Sequence, residues 1–186
     1  MSGLVLGVAL GLLAALAGPA AAAAPGDPDY AQRVVNEEVA RLHQEARGLA
    51  QAGRHDEALR TYRRILAVKP DDLDAQTAQA RITAWSGDHA RAEALYRAVL
   101  ERRPDHADAL TGLGDVRSWR GDLEGARQAY ERALAAAPDH VDALKGLGKL
   151  SRWAGDTAAS RQYYTQALRR APTDAEARDA IRALGQ

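Results

Sequence analysis

Three residue types recur along this chain with a period of 34. Pro70, Pro104, Pro138 and Pro172 form one series, Gly53, Gly87, Gly121 and Gly155 a second, and Tyr62, Tyr96, Tyr130 and Tyr164 a third. A helix-stopping proline, a turn-forming glycine and a large ring on one shared period commit the chain to a stack of like units. A unit with a single apolar face cannot bury it alone, so neighbours must close over it.

Residues 107–140 show how one unit reads. Asp105 or His106 precedes the first helix as its cap. Leu110, Leu113 and Val116 recur at spacing three and mark one helical face. Gly121 closes that helix in a left-handed conformation, and Asp122 caps the second. Leu123, Ala126, Tyr130, Ala133 and Leu134 form the inner stripe of the second helix, and Pro138 stops it. Gly112, Gly114, Gly146 and Gly148 lie inside helices, where glycine costs about 1 kcal/mol relative to alanine. Close packing must offset that cost. Gly114 with Ala126, and Gly148 with Ser160, are the expected close crossings within their units.

The pattern resembles the tetratricopeptide repeat (TPR). It is carried by Leu110, Leu113-Gly114, Ala126, Tyr130, Ala133 and Pro138, and again by Leu144, Leu147-Gly148, Ser160, Tyr164, Ala167 and Pro172. Weaker copies run through Leu42, Ala46, Ala58, Tyr62 and Pro70, then Ala80, Ala92, Tyr96, Val99 and Pro104. The resemblance implies an all-α, right-handed TPR superhelix, an α-solenoid of four helix-turn-helix repeats plus a C-terminal capping helix. The expected repeats are 39–72, 73–106, 107–140 and 141–174, within a TPR domain spanning 30–186. The capping helix is expected over 175–185, with Ala180, Ile181 and Leu184 on one side. Tyr30 to Ala52 is longer than an ordinary first helix and is expected to extend the stack or cap it.

The front of the chain differs. From Gly3 to Ala24 there is no charge. Leu4 to Ala17 has the length of a signal-peptide core, Gly18-Pro19 breaks it, and Ala21-Ala22-Ala23 offers small residues for cleavage. Residues 1–24 are therefore expected to be an export signal or, uncleaved, a membrane anchor, followed by a linker at 25–29. Either reading places the soluble part in the periplasm or outside the cell.

Composition narrows the function. Basic and acidic residues balance at 25 each, and the arginines of the second helices are interspersed with Glu and Asp, so a one-signed nucleic-acid surface is not expected. Cysteine is absent, which removes disulfide and thiolate chemistry. No H-E-x-x-H, G-x-S-x-G or P-loop motif occurs. His55 and His89 share one repeat position, and His106 and His140 another. Equivalent positions in adjacent units lie on the order of 10 Å apart, too far for one zinc, so these histidines are read as turn and cap residues. No enzymatic activity, metal or cofactor is expected.

Carried over from the resemblance, the concave groove lined by the first helices is where a protein or peptide partner binds. That groove includes Asp74, Thr77 and Arg81; Asp108, Thr111, Asp115 and Ser118; and Asp142, Lys145, Lys149 and Arg152. The positions of the family's chaperone-tail clamp carry His43, Arg47, Ala78, Asp108 and Gly112, which do not match it.

Trp85, Trp119 and Trp153 add a further series at the same period, each in a W-x-G-D segment. Two readings are open. The rings replace the aromatic that the repeat usually has two residues earlier, where this chain has Thr83, Arg117 and Ser151, and pack between units. Alternatively they form a ladder on the groove wall that grips a peptide or stacks on sugar rings. The W-x-G-D variant is similar to TPR segments of bacterial outer-membrane and exopolysaccharide-export proteins. The expected function is a scaffold in the cell envelope, with a polysaccharide-binding module as the alternative.

Overall fold

The computed structural model describes residues 29–185; the leader at 1–24 and most of the linker lie outside them. Among the described residues every regular element is a helix. They are α1 (Tyr30–Gln51), α2 (His55–Val68), α3 (Leu73–Trp85), α4 (His89–Arg102), α5 (Ala107–Trp119), α6 (Leu123–Ala136), α7 (Val141–Trp153), α8 (Thr157–Arg170) and α9 (Ala175–Ala183). The chain divides into two compact units, one ending at Ala75 and the other starting at Gln76.

The boundaries follow from local chemistry. Gly53, Gly87, Gly121 and Gly155 all take positive φ, between 73° and 90°, a conformation that only glycine adopts at no steric cost. One residue on, Asp88, Asp122 and Asp156 cap the second helices, accepting from the backbone N–H of Arg91, Gly125 and Ala159. The first repeat has Arg54 there, with no capping hydrogen bond. The caps of the first helices also share one repeat position. Asp72 and Asp174 accept through Oδ1. His106 and His140 accept through Nδ1, from Ala109 at 3.4 Å and Ala143 at 3.3 Å. His106 rather than Asp105 is thus the cap of α5, and the cap role read for the His106/His140 pair holds.

In the first unit α1 packs on α2. Val39, Leu42 and Ala46 are buried on one side, Ala58, Tyr62 and Ile65 on the other. The His43 ring meets Tyr62 edge-on at 6.2 Å, and its Nε2 lies 3.2 Å from the Asp72 carboxylate. At 22 residues α1 is longer than the 13-residue helices α3, α5 and α7.

The second unit pairs α5 with α6 and α7 with α8, and links the pairs through α4–α5, α6–α7 and α8–α9. Leu110, Leu113, Val116, Tyr130, Leu144 and Leu147 are buried, as the spacing predicts. Leu123 is not part of the inner stripe; it is 45 % exposed, because as the first residue of α6 it precedes the turn that faces α5. The short helix α9 buries Ala177 and Ala180 against Leu144, Tyr164 and Ala167 and ends the stack, as a capping helix should.

The internal glycines make room for rings rather than for a second backbone. A Cβ on Gly112 would come within 2.2 Å of Tyr96, and one on Gly146 within 2.5 Å of Tyr130. Gly114 faces the same Tyr130 ring from the other side at 2.6 Å. The Tyr130 ring is thereby wedged between the first helix of its own repeat and that of the next, which explains why glycine and tyrosine share the period. The Gly148–Ser160 crossing is a hydrogen bond, Ser160 Oγ donating to the Gly148 carbonyl at 2.9 Å.

Candidate functional site

Helices α3, α5, α7 and α9 of the second unit line one cleft of about 460 Å³, within the range of pockets that hold small ligands. Residues four apart stand in line on a helix, and each first helix presents such a row. The rows are Thr77, Arg81 and Trp85 on α3; Thr111, Asp115 and Trp119 on α5; and Lys145 and Lys149 on α7. A second column, three residues ahead of the rows, holds Asp108, Asp142 and Glu176, each in the first turn of its helix. Acidic residues are favoured there by the helix dipole.

Of the expected groove residues and tryptophans, ten line this cleft: Thr77, Arg81, Trp85, Asp108, Thr111, Asp115, Trp119, Asp142, Lys145 and Lys149. Ser118, Arg152 and Trp153 do not, and Asp74 belongs to the first unit. Arg152 sits one position before the continuation of the α7 row, a turn of about 100° around the helix axis. Trp153 continues the row, but on the α9 side the lining ends at Glu176. Tyr96, His140 and Glu176 belong to the cleft and were not anticipated as site residues. His140 and Glu176 were legible as the 34-residue partners of His106 and Asp142; the Tyr96 ring reaches the cleft over Gly112, which no spacing rule gives.

The tryptophans are not the packing residues of the first reading. Trp85, Trp119 and Trp153 are 51 %, 49 % and 55 % exposed. The place two residues earlier is filled by Thr83 and Ser151, both buried. Two residues are about 200° around a helix, so a ring moved by that step leaves the interface and faces out. Trp85 lies beneath the Arg81 guanidinium, 5.7 Å from ring centre to Cζ, and Trp119 leans on His89, centroids 5.4 Å apart.

Charge is distributed unevenly along the cleft. Lys145 Nζ is 3.1 Å from Asp142, 3.1 Å from Asp174 and 3.2 Å from Glu176. Burial opposes its charge, but the three carboxylates outweigh that and raise its pKa. Glu176 also pairs with Lys149 at 2.6 Å. Its burial favours the neutral acid, and the two lysines overcome this and hold its pKa below the ordinary value. His140 Nε2 and Asp108 Oδ1 are 2.9 Å apart. Since Nδ1 accepts from Ala143, Nε2 is the donor. That hydrogen bond raises the His140 pKa and lowers that of Asp108. Burial raises the Asp115 pKa, against the hydrogen bond it accepts from Tyr130 Oη at 2.7 Å. No group of three or more metal-ligating side chains occurs among the described residues, and no described helix is long and apolar enough to cross a membrane.

Models of the tetratricopeptide repeat match residues 39–82, 86–147 and 120–175. No curated protein matches in sequence. Many solved structures are similar. A thermophilic TPR protein from Thermus thermophilus shares 22 % identity at a TM-score of 0.70, over 78 % of this chain and 80 % of that one. PilF of Pseudomonas aeruginosa shares 22 % at 0.68, over 81 % and 68 %. The first TPR of Spaghetti (RPAP3), solved with the HSP90 peptide SRMEEVD, shares 23 % at 0.56, over 64 % and 94 %. At such identities the likeness is one of fold. With the repeat matched along most of the described chain and the same helical pairs in its neighbours, this chain belongs to the tetratricopeptide-repeat family.

Proposed function

We propose that the protein is a non-catalytic scaffold that holds a protein partner, as an extended segment, in the α3–α9 cleft. The observation that supports this most is the convergence of two half-exposed indoles with polar rows from three successive first helices in a single cleft. Indole is enriched among residues that dominate interfaces, and two of them share this cleft. The RPAP3 neighbour, a TPR domain bound to a peptide, is consistent with such a guest.

A photo-crosslinking residue in place of Trp119 should capture a partner from cells, and the same residue in place of Leu123, exposed outside the cleft, should not. A peptide from the captured segment should then change the tryptophan emission of the purified protein to saturation. Equal capture at both positions would place the interface elsewhere.

We further infer that it works in the cell envelope, on the strength of the uncharged run from Gly3 to Ala24. Residues 1–28 fused to a reporter active only outside the cytoplasm should give activity, and Leu12→Arg should abolish it. An inactive fusion would overturn this placement.

A further inference from the structure

The repeat lets the two ends of the cleft be compared position by position. In three repeats, the residue 29 positions before a first-helix cap reaches that cap. His43 lies 3.2 Å from Asp72, Thr111 Oγ1 3.5 Å from His140, and Lys145 Nζ 3.1 Å from Asp174. The fourth member of the series is Thr77. Its side chain is buried and lines the cleft, and its hydroxyl has no hydrogen-bond partner. Leaving a buried hydroxyl unsatisfied is costly, native structures keep few of them, and this one borders a cleft that a guest can enter.

One turn further along the same row stands Arg81. Lys145, Lys149 and His140 each have a carboxylate partner within the cleft. Arg81 makes no close ion pair among the described residues; its guanidinium lies over Trp85, and its charge acts on Asp108 only at longer range. Thr77, Arg81, Trp85 and, from the next repeat, Trp119 therefore gather an unsatisfied hydroxyl, an unpaired cation and two exposed indoles on one wall.

Resting on the peptide-binding reading above, we propose that these four residues form the anchoring subsite for an acidic side chain of the partner segment, with an adjacent apolar side chain lying against the two indoles. A guanidinium offers a carboxylate two parallel donors, and the Thr77 hydroxyl can supply a third. Asp108 and Asp115, on the same helix as Trp119, put negative charge beside this subsite and favour an anion of single charge, a carboxylate rather than a phosphate. They also offer acceptors for main-chain N–H groups of the guest. The cleft continues from α5 to α9, so the segment runs on past its anchor and the carboxylate is that of an internal Asp or Glu.

The test is an array of N-acetylated, C-amidated hexapeptides whose central pair combines each apolar residue with Asp, Glu, Asn or Gln. It is read by tryptophan emission of the Trp153→Phe protein, so that only Trp85 and Trp119 report. Apolar-acid pairs should bind about tenfold more tightly than their amide counterparts. Arg81→Gln should erase that preference while sparing the apolar one, Thr77→Val should weaken it, and Trp85→Ala should remove the apolar one. Thermal unfolding of the Arg81 and Trp85 variants should match the parent, since both residues are exposed. An oligogalacturonate is titrated alongside at matched carboxylate concentration. Peptides that bind without regard to the acid, or an acid preference surviving Arg81→Gln, would overturn the subsite and leave the cleft reading standing. The same hexapeptides remade with a free C-terminal carboxylate are compared, and binding seen only in that form, or a galacturonate that outbinds every peptide, would also overturn it. If none of these probes binds, the cleft reading itself fails.

Discussion

At its α7–α9 end the cleft answers its own charges. Lys145 is enclosed by Asp142, Asp174 and Glu176, and Lys149 is met by Glu176. At the α3 end the same row positions carry Thr77, whose hydroxyl has no hydrogen-bond partner, and Arg81, which lies over Trp85 and acts on Asp108 only at longer range. The rows are built from the same backbone, so fold does not cause the difference. It comes from which side chains the next helix brings. The short helix α9 and its cap supply Glu176 and Asp174, ending the stack with carboxylates. A TPR array can thus neutralise the cations at one end of its groove with the carboxylates of its capping helix.

The comparison can be broken by mutation, starting with packing beneath the cleft. Gly112→Ala drives a methyl into the Tyr96 ring, a rigid neighbour. It should cost about 2–3 kcal/mol in urea unfolding. Gly148→Ala approaches Tyr164 no closer than 2.9 Å and regains up to about 1 kcal/mol of helix propensity, so it should be nearly neutral. Equal losses would remove the claim that the glycines are sized by their rings.

Lys145→Met should cost about 2 kcal/mol at neutral pH, because Asp142 and Asp174 then lose their ammonium partner and Glu176 keeps only Lys149. Arg81→Met, which breaks no ion pair, should cost less than about 0.5 kcal/mol. The pH dependence fixes the cause. Asp174 is held low by the Ala177 N–H and by Lys145, and Glu176 by the two lysines against its burial. Their contribution is present above the ordinary carboxyl range near 4 and is lost as pH falls through their depressed values. The Lys145→Met deficit should therefore shrink below about pH 4. A deficit that is constant with pH would make Lys145 a packing residue instead.

A smaller effect belongs to the middle of the cleft. Asp108→Asn should lower the His140 pKa toward the ordinary imidazole value, seen by NMR titration of the ring, and cost about 0.5 kcal/mol since Asp108 is largely exposed. Asp108 is depressed and His140 raised. The pair thus contributes most between the two, losing effect as pH falls through the Asp108 value or rises through that of His140. An unmoved His140 titration would show that the bond does not persist in solution. Least of all, Leu123→Ser should change stability by no more than about 0.5 kcal/mol, because its side chain is exposed. A loss near 2 kcal/mol would restore it to the inner stripe.

Much of this was legible in the residues. The 34-residue period fixed where helices begin and end, since each boundary rests on a local event: a glycine at positive φ, an Asp cap, a proline stop. The same period aligned the groove rows, so ten of the fourteen expected residues fell on one cleft. Arg152 falls outside that cleft because a helix turns about 100° per residue, and membership of a cleft depends on that angle. Trp153 falls outside it because on the α9 side the lining reaches only to Glu176.

By itself, then, the amino-acid order determined the repeat, its helices and the rows they present, because capping, turn formation and helical periodicity act over a few residues. Tertiary structure decided the rest: that the indoles face out, that Tyr96 enters the cleft across Gly112, and that Glu176 reaches the two lysines. Those outcomes depend on which side chains from different helices come within a few ångströms of one another, and no spacing along the chain encodes that distance.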